Sequence, residues 1–532
     1  MSAAAFNSGS IAARSGPRPV NPWIIAPLVA LAAFMEVLDT TIANVALPHI
    51  AGNMATTVDE STWVLTSYLV ANAIVLPLNG FLSALFGRKR YFMLCVIIFT
   101  ISSLLCGLAP NFQMLIFFRI IQGLGGGGLQ PGAQAILRDT FPVEKIGAAM
   151  AVYGIVAVVG PILGPLLGGW ITDSFSWRWC FLINVPIGIV TLYLLMLLLT
   201  DPPHQRRIKL KETGFDYIGL SFLVIGVASL QIMLDKGQDA DWFNSNLIRV
   251  LALLAVIGML CFFVWEWFEK HPIVDLRLLE ERNFGLATLG MFIFGGILYG
   301  STTLLPLMMQ TLMGYNASLA GEVLAPGGVA VLCLMPLIGF LIPRVQTRWL
   351  IIIAVLINVT ALVMMSWLNL QTDFFSLVLC RFVQGLGLAF LFVPFNTAAF
   401  GFVPPARVSD ASGIINLARN LGGSFGISLT NAYVRQMAQT HQNFLAANIS
   451  PLNPVYQNSL NNMSAALMRS GEASSSAHAT AQSMIYNLVQ SQAGVLAYLD
   501  AFKVLAAFFL IVIPVALLLR TPSFKSRPVI KE

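Results

Sequence analysis

Glu36 and Asp39 stand three residues apart in the apolar stretch "FMEVLDTTIANVALP" (34–48), and Arg119, Arg381 and Arg419 each interrupt another apolar run. A charge at the centre of a membrane helix costs roughly 2.5–3.5 kcal/mol on insertion scales, so such residues face a bundle interior or a water-filled cavity and mark proton or substrate pathways. The three-residue spacing puts both acids on one helical face. At about 1.5 Å of rise per residue, Asp39 lies roughly 10 Å from the outer end of its helix, and Arg119 lies at the same depth in a helix running the opposite way. Depth therefore permits an Asp39–Arg119 pair. Such a pair either locks two helices together or takes part in proton coupling, because an acid's hold on its proton follows its hydration and its distance from a cation. Glu36 is the second proton-coupling candidate, nearer the midplane and without a basic partner in its own half. Arg381 has no acid in the first helix of its half, and Glu322 matches its depth.

These charges need a membrane around them. The chain has 532 residues, 57% hydrophobic and 10% charged, against a usual charged share of roughly 25%. Apolar runs of the roughly 20 residues a bilayer-crossing helix requires recur along it. Fourteen spans are expected, near 23–48, 61–82, 91–109, 112–136, 147–172, 179–200, 216–234, 247–267, 284–313, 319–342, 348–368, 375–401, 409–434 and 498–520. With both termini inside, the loops bearing Arg88, Lys89, Arg90, Arg206, Arg207, Lys209 and Lys211 share the cytoplasmic side with most of the 30 basic residues, as the positive-inside rule requires. The first 22 residues run into an apolar stretch that holds acids, so a retained segment is expected rather than a cleaved signal peptide.

The six cysteines show no disulfide or metal spacing. No G-x-x-x-x-G-K-[ST] run is present, and no nucleophile–base or metal constellation appears. No cofactor, metal, ATP motor or membrane enzyme is expected. The net charge of +6 reflects basic loops, not a nucleic-acid partner.

The sequence repeats itself. "RIIQGLG" (119–125) recurs as "RFVQGLG" (381–387), and "PLNGFL" (77–82) as "PLIGFL" (336–341), in the same order at nearly one offset. Both members of each pair share an orientation, which makes a parallel repeat about an axis along the membrane normal. The expected fold is an all-α membrane protein of six plus two plus six helices with a cleft between the halves. Residues 1–22 form a cytoplasmic tail, 23–202 the first six-helix half, 203–283 two inserted helices and linkers, 284–520 the second half with an outer loop at 435–497, and 521–532 a second tail. Thr40, Asn44, Gln122 and Gln384, with Glu36 and Arg381, are the expected lining of a substrate cavity. The G-x-G-x-x-G at Gly123, Gly125 and Gly128 lies inside a span rather than between a strand and a helix, so it reads as close helix packing and not as a nucleotide loop. Gly160, Gly164 and Gly168 read the same way, with Pro161 and Pro165 bending their helix.

Four stretches, "LDTTIANVALP" (38–48), "GFLSALFGRKR" (80–90), "RIIQGLGGGG" (119–128) and "GPILGPLLGG" (160–169), resemble in order four signatures of the fourteen-helix drug:proton antiporters of the major facilitator superfamily, of the EmrB type. The similarity continues through "WRWCFLINVPIG" (177–188) and "LQIMLDKGQDADWF" (230–243). The resemblance implies proton coupling at Asp39 and Arg119. It also implies a cytoplasmic gate at Gly80, Gly87 and Arg88, and an antiporter signature that packs helices at Gly160, Pro161, Gly164, Pro165, Gly168 and Gly169. One departure stands out: Ala84 and Leu85 occupy places where the gate signature usually has an acid and often a base. The function implied is proton-driven multidrug efflux of amphipathic or hydrophobic compounds across a bacterial inner membrane. The alternative is a dedicated exporter of one physiological substrate such as a fatty acid or siderophore. The implied partners are a periplasmic membrane-fusion adaptor of the EmrA type and an outer-membrane channel, with the outer loop as the place of contact.

Overall fold

A computed structural model describes residues 21–520 apart from 143–144, 201–215, 405–406, 448 and 451. Residues 1–20 and 521–532 of the expected tails, and all of the basic 201–215 stretch, lie outside the described residues. Within them there is no strand; a segment surrounded by lipid must satisfy its own backbone, and a helix does so internally. The first half holds α1 (Pro22–Asn53), α2 (Trp63–Phe86), α3 (Arg88–Gly107), α4 (Phe112–Gly126), α5 (Leu129–Thr140), α6 (Ile146–Ser174) and α7 (Asn184–Leu198). The inserted pair is α8 (Tyr217–Lys236) and α9 (Asn246–Phe268). The second half runs through α10 (Arg282–Leu312), α11 (Ala317–Leu341), α12 (Thr347–Met365), α13 (Phe374–Phe400), α14 (Val408–Ala446), α15 (Pro454–Arg469), α16 (Ser474–Leu510) and α17 (Val512–Leu518).

Among the described residues twelve helical stretches are long and apolar enough to cross a membrane, and α6, bent by 45° between Pro161 and Leu163, makes a thirteenth. The bend falls where the two prolines remove backbone donors. The span expected at 409–434 lies in α14, which carries Asp410, Asn416, Arg419 and Asn420. That helix is more polar than the other spans and keeps its place by packing among α2, α10 and α16. Two boundaries differ from expectation. The span at 112–136 is divided into α4 and α5 at Gly127 and Gly128. Residues 435–497, expected as an outer loop, are mostly helical: α14 continues to Ala446, and α15 packs on α16 through Leu460, Ala481 and Ile485. Their alanine-rich composition favours helix.

Glycines decide how close the helices come. A Cβ at Gly123 would lie 2.5 Å from the Tyr68 carbonyl oxygen of α2, and one at Gly125 2.8 Å from the Phe99 nitrogen of α3. Their repeat mates Gly385 and Gly387 lie as tightly against Gly327 of α11 and Asn358 of α12. Along α6, Gly160 meets Val37, Gly164 meets Thr41, and Gly168 meets Ile42 and Val45, one turn at a time down α1. Thr172 donates back to the carbonyls of Gly168 (2.8 Å) and Gly169 (3.1 Å).

The halves meet through α2–α14, α5–α14, α6–α11 and α6–α13. Gln134 of α5 donates to Asn396 of α13 at 3.2 Å, and these residues are 262 positions apart. Arg119 and Arg381 have the same offset, so this bond joins repeat mates and marks the axis of the duplication.

Gly164→Leu would force α6 away from α1 and is expected to destabilise the protein by about 1–3 kcal/mol, the usual range for overpacking. The check is the thermal unfolding midpoint in detergent, with Gly52→Leu, whose site has nothing within 4 Å, as the control. Equal midpoints for the two variants would refute this packing.

Candidate functional site

Asp39 and Arg119 are both fully buried and form an ion pair at 2.5 Å. The Asp39 carboxylate also accepts from Gln122 at 2.8 Å and from Asn184 at 3.0 Å. Gln122 and Asn184 both donate to Ser103, at 3.1 and 3.2 Å. Arg119 donates through Nε to the Val64 carbonyl at 2.9 Å and through Nη1 to Gln122 at 2.7 Å, with Tyr68 under its guanidinium at 4.2 Å. Helices α1, α2, α3, α4 and α7 therefore converge on one carboxylate. The network supports two arrangements: Asp39 charged and paired, or Asp39 neutral with Arg119 held by Gln122 and Val64.

Glu36 lies one turn away on α1, 2% exposed. It accepts from Asn72 at 3.0 Å, from Tyr68 at 3.5 Å and from the Gln130 amide. The Gln130 carbonyl oxygen in turn accepts from Tyr153 at 3.1 Å and from Arg419 of α14. The basic group missing from Glu36's own half is thus reached from the other half, through a glutamine. Gln130, Tyr153, Asn184 and the place of Arg419 beside Glu36 were not legible in the sequence, where each stands on a helix remote from α1.

Arg381 is fully buried and bonds Gln384 and, at 3.2 Å, Thr302. Gln384 donates to Ser301 at 2.8 Å. This resembles the first network, with the hydroxyls of Ser301 and Thr302 in place of the carboxylate. Glu322, matched to it by depth, forms no ion pair with Arg381 among the described residues. The expected cavity lining is therefore divided: Gln122 and Gln384 each belong to the network of their own half. Glu36, Thr40 and Asn44 do form one stripe at four-residue spacing, and it passes from buried through half-buried to exposed.

The other end of the bundle, where α2 meets α3, is sealed. Asn79 donates to the Ser409 carbonyl at 3.1 Å, Ser412 to the Pro131 carbonyl at 3.0 Å, and Asn416 to Gln134 at 2.7 Å. These α14 residues share a face that meets α2 and α5. Gly87, between α2 and α3, has φ +88°, a conformation glycine adopts without strain. Arg88 forms an ion pair with Asp139 of α5. Gly80 packs directly against the Asp410 side chain of α14. The acid absent at Ala84 is thus matched by one arriving from the second half. The repeat-related contact sets Gly339 of α11 against Ala148 of α6, so the charge is present in one of the two.

A duplicated helical bundle with intramembrane ion pairs and helices packed through glycine defines a membrane transporter rather than an enzyme. Residues 29–427 match the family model described as the Major Facilitator Superfamily, and the chain belongs to that family. It is 38% identical over 427 residues to the multidrug export protein EmrB of Escherichia coli (strain K12), covering 80% of this chain and 83% of that one, which places it in the EmrB group. It is 36% identical to the fatty acid resistance protein FarB of Neisseria gonorrhoeae, covering 94% of this chain and 96% of that one. The crystal structure of the human organic anion transporter MFSD10 shares the fold, with a TM-score of 0.58 at 14% identity, covering 94% of this chain and 100% of that one.

A side chain at Gly80 must displace Asp410 and hold α2 off α14. In a background without native cysteines, Gly80→Leu is expected to raise maleimide labelling of Ser409→Cys, a position 4% exposed in the sealed form. Labelling as slow as without the Gly80 change would refute the seal.

Proposed function

We propose that the chain is a proton-driven exporter of amphipathic or hydrophobic compounds in a bacterial inner membrane, with both termini cytoplasmic and the α2–α3 end facing the cytoplasm. The observation that carries this reading is the buried Asp39–Arg119 pair, a charge arrangement that a proton can break without moving either helix far. On this reading the sealed end is the cytoplasmic one, and the Glu36–Thr40–Asn44 stripe opens toward the outside. Protonation of Asp39 releases Arg119 from the carboxylate. Glu36, joined to the second half through Gln130 and Arg419, carries that local event to the seam along which the halves rock. The helical 435–497 region stands at the outer end, where a periplasmic adaptor would dock on the way to an outer-membrane channel.

A second reading, a dedicated exporter of one physiological substrate, is favoured by the likeness to FarB over nearly the whole chain. A substrate panel of dyes and fatty acids in proteoliposomes with an imposed pH gradient separates the two by breadth of transport.

Removing one partner of a buried pair typically costs about 3–5 kcal/mol, so the coupling test uses two variants. Asp39→Asn is expected to abolish energised dye efflux at matched expression. Asp39→Asn/Arg119→Gln, which leaves no uncompensated charge, is expected to be as thermally stable as the wild type and equally unable to concentrate dye outward. Full efflux by the double variant would assign the pair to structure alone.

A further inference from the structure

Arg419 is 2% exposed and sits where the halves meet, yet among the described residues it forms no ion pair with a carboxylate. Its partners are neutral, the carbonyl oxygen of Gln130 and the Tyr153 hydroxyl beside it, its Nε is buried without a partner, and the Phe392 ring lies 5.8 Å from its guanidinium. The amide of the same glutamine is on Glu36, so one carboxamide stands between the cation and the acid it would otherwise pair with. Glu36 interacts with Arg419 electrostatically across this glutamine, but the two do not form a direct ion pair, and a bundle that needed only stability would close this gap. What the arrangement preserves is a guanidinium, a rigid fork suited to a carboxylate or sulfonate, held in reserve by an exchangeable neutral group.

The stripe of Glu36, Thr40 and Asn44, which starts at the acid beside Gln130, grows more exposed away from the sealed end. On α10 the half-buried Tyr299 and Thr303 lie on the same side of the second half, with Tyr299 close enough to both Glu36 and Arg419 to interact electrostatically with them. Arg381, the other buried arginine without an acid, lies inside its own half, boxed by Gln384, Thr302 and Gly327, and offers no such approach.

We propose that Arg419 seats the anionic head of the exported compound, which displaces the Gln130 carbonyl, so that the substrates are amphipathic anions with a carboxylate or sulfonate head. This rests on the export reading above. Seating the anion cuts the Gln130–Arg419 bond across the halves and leaves Gln130 to Glu36 and Tyr153. Substrate binding thereby loosens the seam at the place where the coupling acid is attached.

The test is equilibrium binding to the purified full-length protein in lipid nanodiscs without a gradient, using dodecanoate, dodecanol and dodecyltrimethylammonium as probes. Dodecanoate is expected to bind about tenfold or more tightly than the other two, in keeping with a hydrogen bond to a charged group. Arg419→Gln should remove that preference while dodecanol binding stays within about twofold, a change too small to signal a damaged site. Arg419→Lys should retain a reduced preference for the anion. Glu36→Gln/Gln130→Ala, which removes both the carboxamide on Arg419 and the acid that would otherwise close on it, should tighten dodecanoate binding, an improvement that general structural damage does not produce. Equal binding of the three probes, an unchanged preference in Arg419→Gln, or weaker dodecanoate binding in Glu36→Gln/Gln130→Ala would overturn the proposal. Loss of anion preference with dye efflux intact would leave the export reading standing. Intact anion binding with no gradient-driven transport would do the reverse.

Discussion

Everything in the first half of this protein is arranged around one buried carboxylate. Asp39 is fully buried, so its charge must be balanced by Arg119 and its oxygens filled by Gln122 and Asn184. Those donors come from α4 and α7, Ser103 of α3 orients two of them, and the Val64 carbonyl of α2 fixes the guanidinium. The cost of leaving any of these groups unpaired in a low-dielectric interior ties five helices to a single point. The glycines at 160, 164 and 168 then let α6 lie flat on the same helix that bears the acid.

The second half repeats the scaffold without the acid. Arg381, Gln384, Ser301 and Thr302 form a smaller network that joins only α10 and α13. The two halves are thus alike in packing and unlike in charge, and the difference concentrates titratable groups on one side of the axis. Arg419 reaches back across it, and so does Asp410 at the sealed end. Where α14 meets α2 and α5 the seam carries exchangeable polar contacts, Asn72–Asn420, Gln130–Arg419 and Gln134–Asn416, while on the α6 side it is apolar, with Gly154 against Met335, Phe392 and Val393. Such a surface can be re-paired in another arrangement, whereas a jigsaw-packed apolar core resists small displacements.

The inserted helices take part in this seam. Gln231 of α8 and Ser424 of α14 exchange hydrogen bonds at 2.9 and 3.0 Å, Ser428 donates to the Leu234 carbonyl at 2.7 Å, and Asp235 and Lys236 bond Thr66 and Thr62 at the start of α2. One added helix therefore touches both halves near the end opposite the seal. α9 packs mainly on α8, with Gly226 against Gly258 at their crossing.

Much of this was legible in the sequence because membranes make strong local demands. The length of apolar runs determined the spans, a repeated "QGLG" determined the duplication, and helical rise put Asp39 and Arg119 at one depth. The glycine pattern determined close packing, since only small residues permit it. What the sequence left open depends on which faces of distant helices converge. The polar α14, expected as a span, can carry its charges because other helices cover them, and the region beyond it is helical because it packs on itself. Glu36 had no partner in its own half and acquired one through Gln130 from a residue nearly four hundred positions away. Asp410 came to face Gly80 in the same manner. Local sequence determines which groups enter the membrane and how deep they lie. Tertiary packing alone decided which of them meet, because pairing in a bundle depends on helix rotation and order around the axis, and neither leaves a period or a spacing in the chain.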